Sequence, residues 1–225
     1  MSAFRTLLAA TAAVMLSSSA HAAFITYNAV PGPTLLTNTD FTVNLVIPQF
    51  DPSFGTLTGI VIGLGGTVVS QIGVENQDAG PATVVYTSSA DLLLATPADA
   101  SFFTVSPSLA GTFSAAGYDG TLDFSGTSGA TFHDVTAVAN GTKAVPSAQF
   151  LDFTGVGSVT LPTSAKGSSS AAGGGNLTTS IVTQASVGAT VTYTYDAPVG
   201  VPEPASMALI GAGLFGLGLA RRRKS

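Results

Sequence analysis

One histidine of the mature-looking part of this chain, His133, sits where a proton could be moved, in Thr131-Phe-His-Asp-Val135. Its neighbour Asp134 would point to the opposite face of a regular strand, so the two do not make a ready catalytic pair. A serine triad would need another acid brought in by the fold. Gly155-Val-Gly-Ser158 reads as turn and strand, not as a nucleophile elbow between strand and helix. Asp119 and Asp123, beside Tyr118 and Gly120, could hold calcium or share a proton. Their spacing is neither that of an EF-hand nor that of a glycine-rich calcium repeat, and Asp119-Gly120 reads as a turn. Asp51-Pro52 reads as a turn initiator. Any two of the body's acids could serve a glycosidase, and nothing in the sequence singles out a pair. Tyr86, Tyr118, Tyr193 and Tyr195 could stack on sugars. In alternating strands, however, such rings are more commonly core or cross-strand partners, and there is no tryptophan. With no cysteine there is no disulfide, lipobox or thiolate chemistry. The expectation is a protein that is not an enzyme, with no catalytic residue, no metal and no cofactor.

The stronger signals lie at the two ends. Met1-Ser-Ala-Phe-Arg5 is a short positive segment, Thr6 to Leu16 is apolar, and Ala20-His21-Ala22 is a small-x-small cleavage site. This is the pattern of a secretory signal peptide over 1–22, cut between Ala22 and Ala23, which makes the Sec translocon and signal peptidase its partners. At the other end stand Pro202, Glu203 and Pro204, then an uncharged stretch over 205–220, then Arg221, Arg222, Arg223 and Lys224. A helix over 205–220 would span about 24 Å at 1.5 Å per residue, slightly short of a ~30 Å hydrocarbon core. The basic cluster is a membrane stop that faces the cytoplasm. Ala208, Ala212, Gly216 and Ala220 recur every fourth residue and form a ridge of small side chains. The two prolines keep Glu203 in an extended segment just outside the membrane, a shape that a processing enzyme can thread.

A Pro-Glu-Pro triplet, a short glycine-rich span and a terminal arginine cluster, in that order, resemble the PEP-CTERM sorting signal of Gram-negative bacteria. The resemblance implies recognition by exosortase, a membrane cysteine protease-transpeptidase, after transient insertion in the inner membrane, with removal of the tail over 201–225.

The body, 23–200, keeps only Lys143 and Lys166 of the seven basic residues and eleven of the twelve acidic ones, a net charge of −9. Such a surface cannot neutralise a phosphate backbone, which excludes nucleic acid as a partner. The local pattern is β throughout. Phe24 to Val30 precedes a Pro-Gly-Pro turn, and Phe41 to Ile47 alternates and stops at Pro48. Thr58, Ile60, Ile62 and Leu64 share one strand face. Gly65-Gly66 then predicts a hairpin turn, with Val68, Ser70, Ile72 and Val74 on one face of the return strand. Lys166 to Gly175 reads as a flexible loop. Thr178 to Val187 and Ala189 to Tyr195 read as two strands joined at Gly188. Short strands separated by Gly, Pro and Asn turns predict an all-β, antiparallel β-sandwich, jelly-roll or Ig-like, flanked by a signal helix and a single transmembrane helix. A barrel is the alternative.

Phe50-Asp-Pro-Ser-Phe-Gly-Thr-Leu-Thr-Gly59, Ile72-Gly-Val-Glu-Asn76, Tyr118 to Gly126 and Gln149 to Ser158 together resemble the exported domains termed choice-of-anchor, type E. Members share this body and differ in their surface-anchoring tails, and no activity attaches to the group. The function expected is that of a non-catalytic surface or extracellular-matrix protein, sorted through exosortase and associated with exopolysaccharide and biofilm. A glycan-binding module or adhesin is the alternative, and a secreted hydrolase a further one.

Overall fold

The computed structural model describes residues 22–198. The signal helix, the transmembrane helix and the basic tail expected from the sequence fall outside the described residues. Ten strands account for most of what is described: β1 (Ala22–Asn28), β2 (Thr37–Asn38), β3 (Phe41–Pro48), β4 (Thr56–Asn76), β5 (Ala82–Thr96), β6 (Asp99–Val105), β7 (Ser108–Ala115), β8 (Gly129–Ala144), β9 (Ser158–Ala172) and β10 (Leu177–Asp196). Two 3-10 turns, Pro52–Phe54 and Ser147–Phe153, are the helical segments among these residues.

The strands form two antiparallel sheets. One runs β1-β10-β4-β8 with β2 beside β10, and the other runs β3-β9-β5-β6 with β7 also on β5. The pairs β1–β10, β3–β9, β4–β8 and β5–β6 are nested, first with last and inward. A long hairpin wrapped on itself gives this order, with alternate pairs falling in alternate sheets, which is the jelly-roll winding of a β-sandwich.

The core lies between the sheets and follows strand alternation. In β4 the even-numbered residues Ile60, Ile62, Leu64, Val68, Ile72 and Val74 are buried, and in β10 the odd-numbered Ala185, Val187, Val191 and Tyr193. Val84, Leu92 and Leu94 of β5 and Leu161 and Ala165 of β9 meet them from the other sheet. Each large apolar side chain so buried contributes about 1.5–3 kcal/mol. Ser70 also faces inward, and its hydroxyl lies 2.8 Å from that of Ser88, which lies 2.9 Å from that of Thr183. This thread of hydroxyls satisfies three polar groups where the two sheets meet.

Four expectations are corrected. Gly65-Gly66 is not a hairpin turn, and Gly188 is not a turn either. Each lies inside one unbroken strand, with Gly65 opposite Gly188 and Gly66 opposite Val187. The physical reason at Gly66 is close approach: a Cβ there would come within 2.2 Å of Leu92 Cδ1 and 2.4 Å of the Ser186 carbonyl. At Gly188 a Cβ would meet Pro33 at 3.3 Å, so the glycine admits the 31–33 turn over the sheet. Lys166 to Ala172 is not a loop but the second half of β9, paired with Val85 to Asp91. Small polar residues follow the ladder that β5 offers, and only Gly173 and Gly174, with φ of 149° and 64°, make the turn. The fourth correction concerns His133 and Asp134.

Candidate functional site

In β8 the register slips between Phe132, opposite Ile72, and Val135, opposite Ser70. His133 and Asp134 together oppose Gln71, a β-bulge, and Asp134 takes a φ of 53°. The slip turns both Phe132 and Val135 toward the core and leaves His133 and Asp134 both exposed. The expectation that a regular strand would send the two to opposite faces is therefore overturned. No hydrogen bond joins them among the described residues.

Asp119 and Asp123 are turn residues. The carboxylate of Asp119 accepts from the Thr121 N–H at 3.0 Å, and that of Asp123 from the Ser125 N–H at 3.0 Å. Among the described residues no cluster of three or more His, Asp or Glu side chains is arranged to hold a metal. Asp51 caps the first 3-10 turn, accepting from the Ser53 N–H at 2.8 Å. That backbone bond, aided by the Ser53 side chain, holds its carboxyl below the usual carboxylate range.

Glu75 is an acid the sequence did not single out. It is fully buried; one carboxylate oxygen accepts from the Ser128 hydroxyl at 2.6 Å, and the other has no partner among the described residues. Asn76 beside it donates to the carbonyls of Gly80 and Ala116 at 2.9 and 2.8 Å. These bonds tie down the loops that close one end of the sandwich.

Tyr86, Tyr193 and Tyr195 lie in packing positions, whereas Tyr118 is exposed. Tyr193 is fully buried and donates to the Pro48 carbonyl at 2.7 Å. Burial raises its phenol above the usual tyrosine value, with Tyr27 adding to the effect. Tyr86 packs on Phe132, ring centroids 4.9 Å apart. Tyr195 stacks 5.2 Å from Phe50, which lies 6.3 Å from Phe54. Phe50, Phe54, Tyr193 and Tyr195 thus form an aromatic root where the chain leaves β10. Their tie to the chain exit is a feature the sequence reading missed, because it depends on β4's leading turn lying against the end of β10. Gly55 makes that contact possible, since a Cβ there would come within 2.1 Å of the Asp196 carbonyl oxygen.

The outer face of the first sheet carries a shallow trough of about 910 Å³ whose floor includes Gly63, Gly65 and Gly188. Its lining has no charged and no aromatic residue.

Of the expected processing residues, Ala22 and Ala23 open β1, opposite Asp196 and Tyr195. Ala20, Pro202, Glu203, Pro204, Arg221, Arg222, Arg223 and Lys224 lie outside the described residues. Because β1 and β10 run antiparallel in this register, both chain ends leave the same end of the sandwich.

The last regular residue of the body, Asp196, stands four positions before the segment that decides the chain's destination. Residues 200–224 match the PEP-CTERM protein-sorting motif. That motif marks a protein exported in bacteria and sorted by exosortase, its processing partner, to the cell surface or envelope. A search of curated proteins returns no match. Among solved structures, the chain is similar to that of infectious bursal disease virus Gt strain at 14% identity and a TM-score of 0.19, covering 95% of this chain and 53% of that one. For the Gx strain the figures are 12%, 0.16, 86% and 47%. The chain spans about half the length of these viral chains.

Proposed function

We propose that this chain is a non-catalytic exported protein whose β-sandwich becomes a passive structural part of the cell surface or extracellular matrix of a Gram-negative bacterium. Exosortase releases it from a temporary inner-membrane anchor by removing the tail. The body's resemblance to choice-of-anchor type E domains supports this reading, as does an acidic, Ser/Thr-rich surface suited to a hydrated exopolysaccharide or biofilm setting. The observation that carries it is the sorting motif at 200–224, which follows directly on a strand fixed by aromatic packing. The aromatic packing at the end of β10 keeps the body folded up to Asp196 while the sorting motif that follows is processed.

His133 and Asp134 lie exposed on a β-bulge, and Asp119 and Asp123 accept backbone N–H bonds within their own turns. Mass spectrometry of the protein released by producing cells tests the reading. The expected C-terminus lies between Pro202 and Ala205, and deletion of exosortase should leave the intact tail in the inner membrane. Recovery of the full chain through Ser225 from exosortase-positive cells would refute it.

A further inference from the structure

The trough on the outer face of the first sheet is built from three rows of residues. Asn28, Thr190, Gly63 and Thr142 stand side by side in one row across β1, β10, β4 and β8. Ser186, Thr67 and Val138 form another. Between them, Gly188 and Gly65 leave the two central strands without side chains, and Asn140 closes the row on β8. The 31–33 turn closes it on the other side, with Pro33 3.3 Å from where a Gly188 Cβ would stand. The space left is about 910 Å³, within the range of ligand sites. Its floor is apolar, because the backbone groups beneath it are already paired in the β10–β4 and β4–β8 ladders.

The rim is polar in one particular way. Asn28, Thr67, Asn140, Thr142, Ser186 and Thr190 carry amides and hydroxyls, which both donate and accept. None of the six makes a side-chain hydrogen bond among the described residues. Elsewhere on the sandwich comparable side chains pair, Thr26 with Thr192 at 2.9 Å and Thr87 with Ser170 at 2.8 Å. The Thr190 hydroxyl leans over Gly63, where a Cβ would come within 2.5 Å of it. The charged residues of these four strands stay clear of the trough. Lys143 turns inward and donates to the Phe102 carbonyl. Asp134 sits on the bulge, four residues beyond Val138, and Glu75 and Asp196 stand at the ends of β4 and β10.

We propose that the trough binds a chain of uncharged sugar residues. This rests on the matrix reading above and names the surface by which the body meets a neutral exopolysaccharide. A sugar ring has apolar C–H faces and a rim of hydroxyls that donate and accept. Laid over Gly65 and Gly188, it sets an apolar face on the apolar floor and turns its hydroxyls toward the free amides and hydroxyls of the rim. The glycines let the ring come down onto the backbone itself, so no stacking aromatic is needed. An extended peptide fits less well, since peptides join sheets by edge pairing and the backbone of this floor is already paired. A polyanion is held off by a body of net charge −9.

Affinity electrophoresis of the full chain tests this, each gel compared with one free of polysaccharide. At least one of dextran, a mixed-linkage β-glucan and a galactomannan should retard the chain, and the polyanion alginate should not. Asn140→Asp, nearly isosteric and at an exposed position, sets a carboxylate in the trough and should weaken binding at least tenfold. Gly65→Ala raises the floor by one methyl group whose closest neighbour is Asn140 Cβ at 3.4 Å, so the chain stays folded and binding should fall at least threefold. Tyr118→Ala, on a loop at the far end of the sheet, should bind as the wild type does. A wild-type chain that none of the three neutral polysaccharides retards overturns the proposal. So does Asn140→Asp binding equal to wild type, loss of binding in Tyr118→Ala, or retardation by alginate. Processing is read separately: a chain that ends between Pro202 and Ala205 yet ignores every neutral polysaccharide refutes the sugar site and leaves the sorting reading standing.

Discussion

Gly65 and Gly66 are adjacent and chemically identical, yet the structure gives them opposite tolerances. Gly66 faces inward. The Cβ of Gly66→Ala would sit 2.2 Å from Leu92 Cδ1 and 2.4 Å from the Ser186 carbonyl oxygen. Leu92 can rotate away at the expense of its packing, but Ser186 belongs to the β10 ladder and can yield only if two strands part. Overpacking of this kind costs about 1–3 kcal/mol. The stiffer unfolded chain returns about 0.4–1 kcal/mol. Taken at mid-range, the two leave an expected loss for Gly66→Ala of about 1–2 kcal/mol. Gly65 faces outward, and its Cβ would find Asn140 Cβ at 3.4 Å and the Ala139 carbonyl at 3.8 Å, ordinary contact. Gly65→Ala should be neutral or should stabilise by up to about 1 kcal/mol. At about 2–4 °C per kcal/mol for a domain of this size, the two variants should separate by roughly 2–12 °C in Tm, with Gly65→Ala the higher. Thermal and urea unfolding of the purified chain read the difference. Equal damage from both variants, or greater damage from Gly65→Ala, would mean that the pair forms a turn and that β4 is not continuous.

Ser128→Ala should leave the buried Glu75 carboxylate without either partner and cost about 1–3 kcal/mol in urea unfolding; a silent variant would show that Glu75 is hydrated. Tyr193 gives a pH signature. Its folded-state value is raised, so its stabilising contribution is complete below the unfolded tyrosine value of about 10 and fades as pH climbs past it, where the unfolded chain ionises first. Tyr193→Phe should flatten that alkaline loss while removing about 0.5–1.5 kcal/mol at neutral pH through the lost bond to Pro48. An alkaline profile identical in the two chains would show that Tyr193 ionises freely in the folded protein.

Much of the sandwich is legible from alternation. The shared face expected for Thr58 to Leu64 and that for Val68 to Val74 are the face buried from Ile60 onward, and β3 ends where Pro48 ends it. What alternation cannot show is whether a glycine bends the chain or merely makes room. At Gly65, Gly66 and Gly188 the answer depends on Asn140, Leu92, Ser186 and Pro33, which are distant in sequence. The serine-rich half of β9 departs from the expected loop for a related reason: its strand character comes from β5, not from its own residues. The bulge at His133–Asp134 leaves a trace only in retrospect, because Phe132 and Val135 are both apolar and three apart, a spacing that a regular strand cannot bury on one face. At 200–224 the sequence is more informative than the fold, since the sorting motif is read from the order of its residues rather than from tertiary contacts.

The pairing of the first strand with the last has a mechanical side. β10 is about 65 Å long at 3.3 Å per residue, and its last seven residues lie between β1 and β4. The chain leaves β10 at Asp196. Flow dragging the body while the chain beyond Asp196 is held loads β10 lengthwise, against hydrogen bonds that run perpendicular to the pull and share the force together. Separating Ala22 from Asp196 at their common end would instead open the β1–β10 ladder like a zipper, one rung at a time. The same seam is thus strong toward drag and weak toward prising, and tension applied through the C-terminal end meets it in its strong direction.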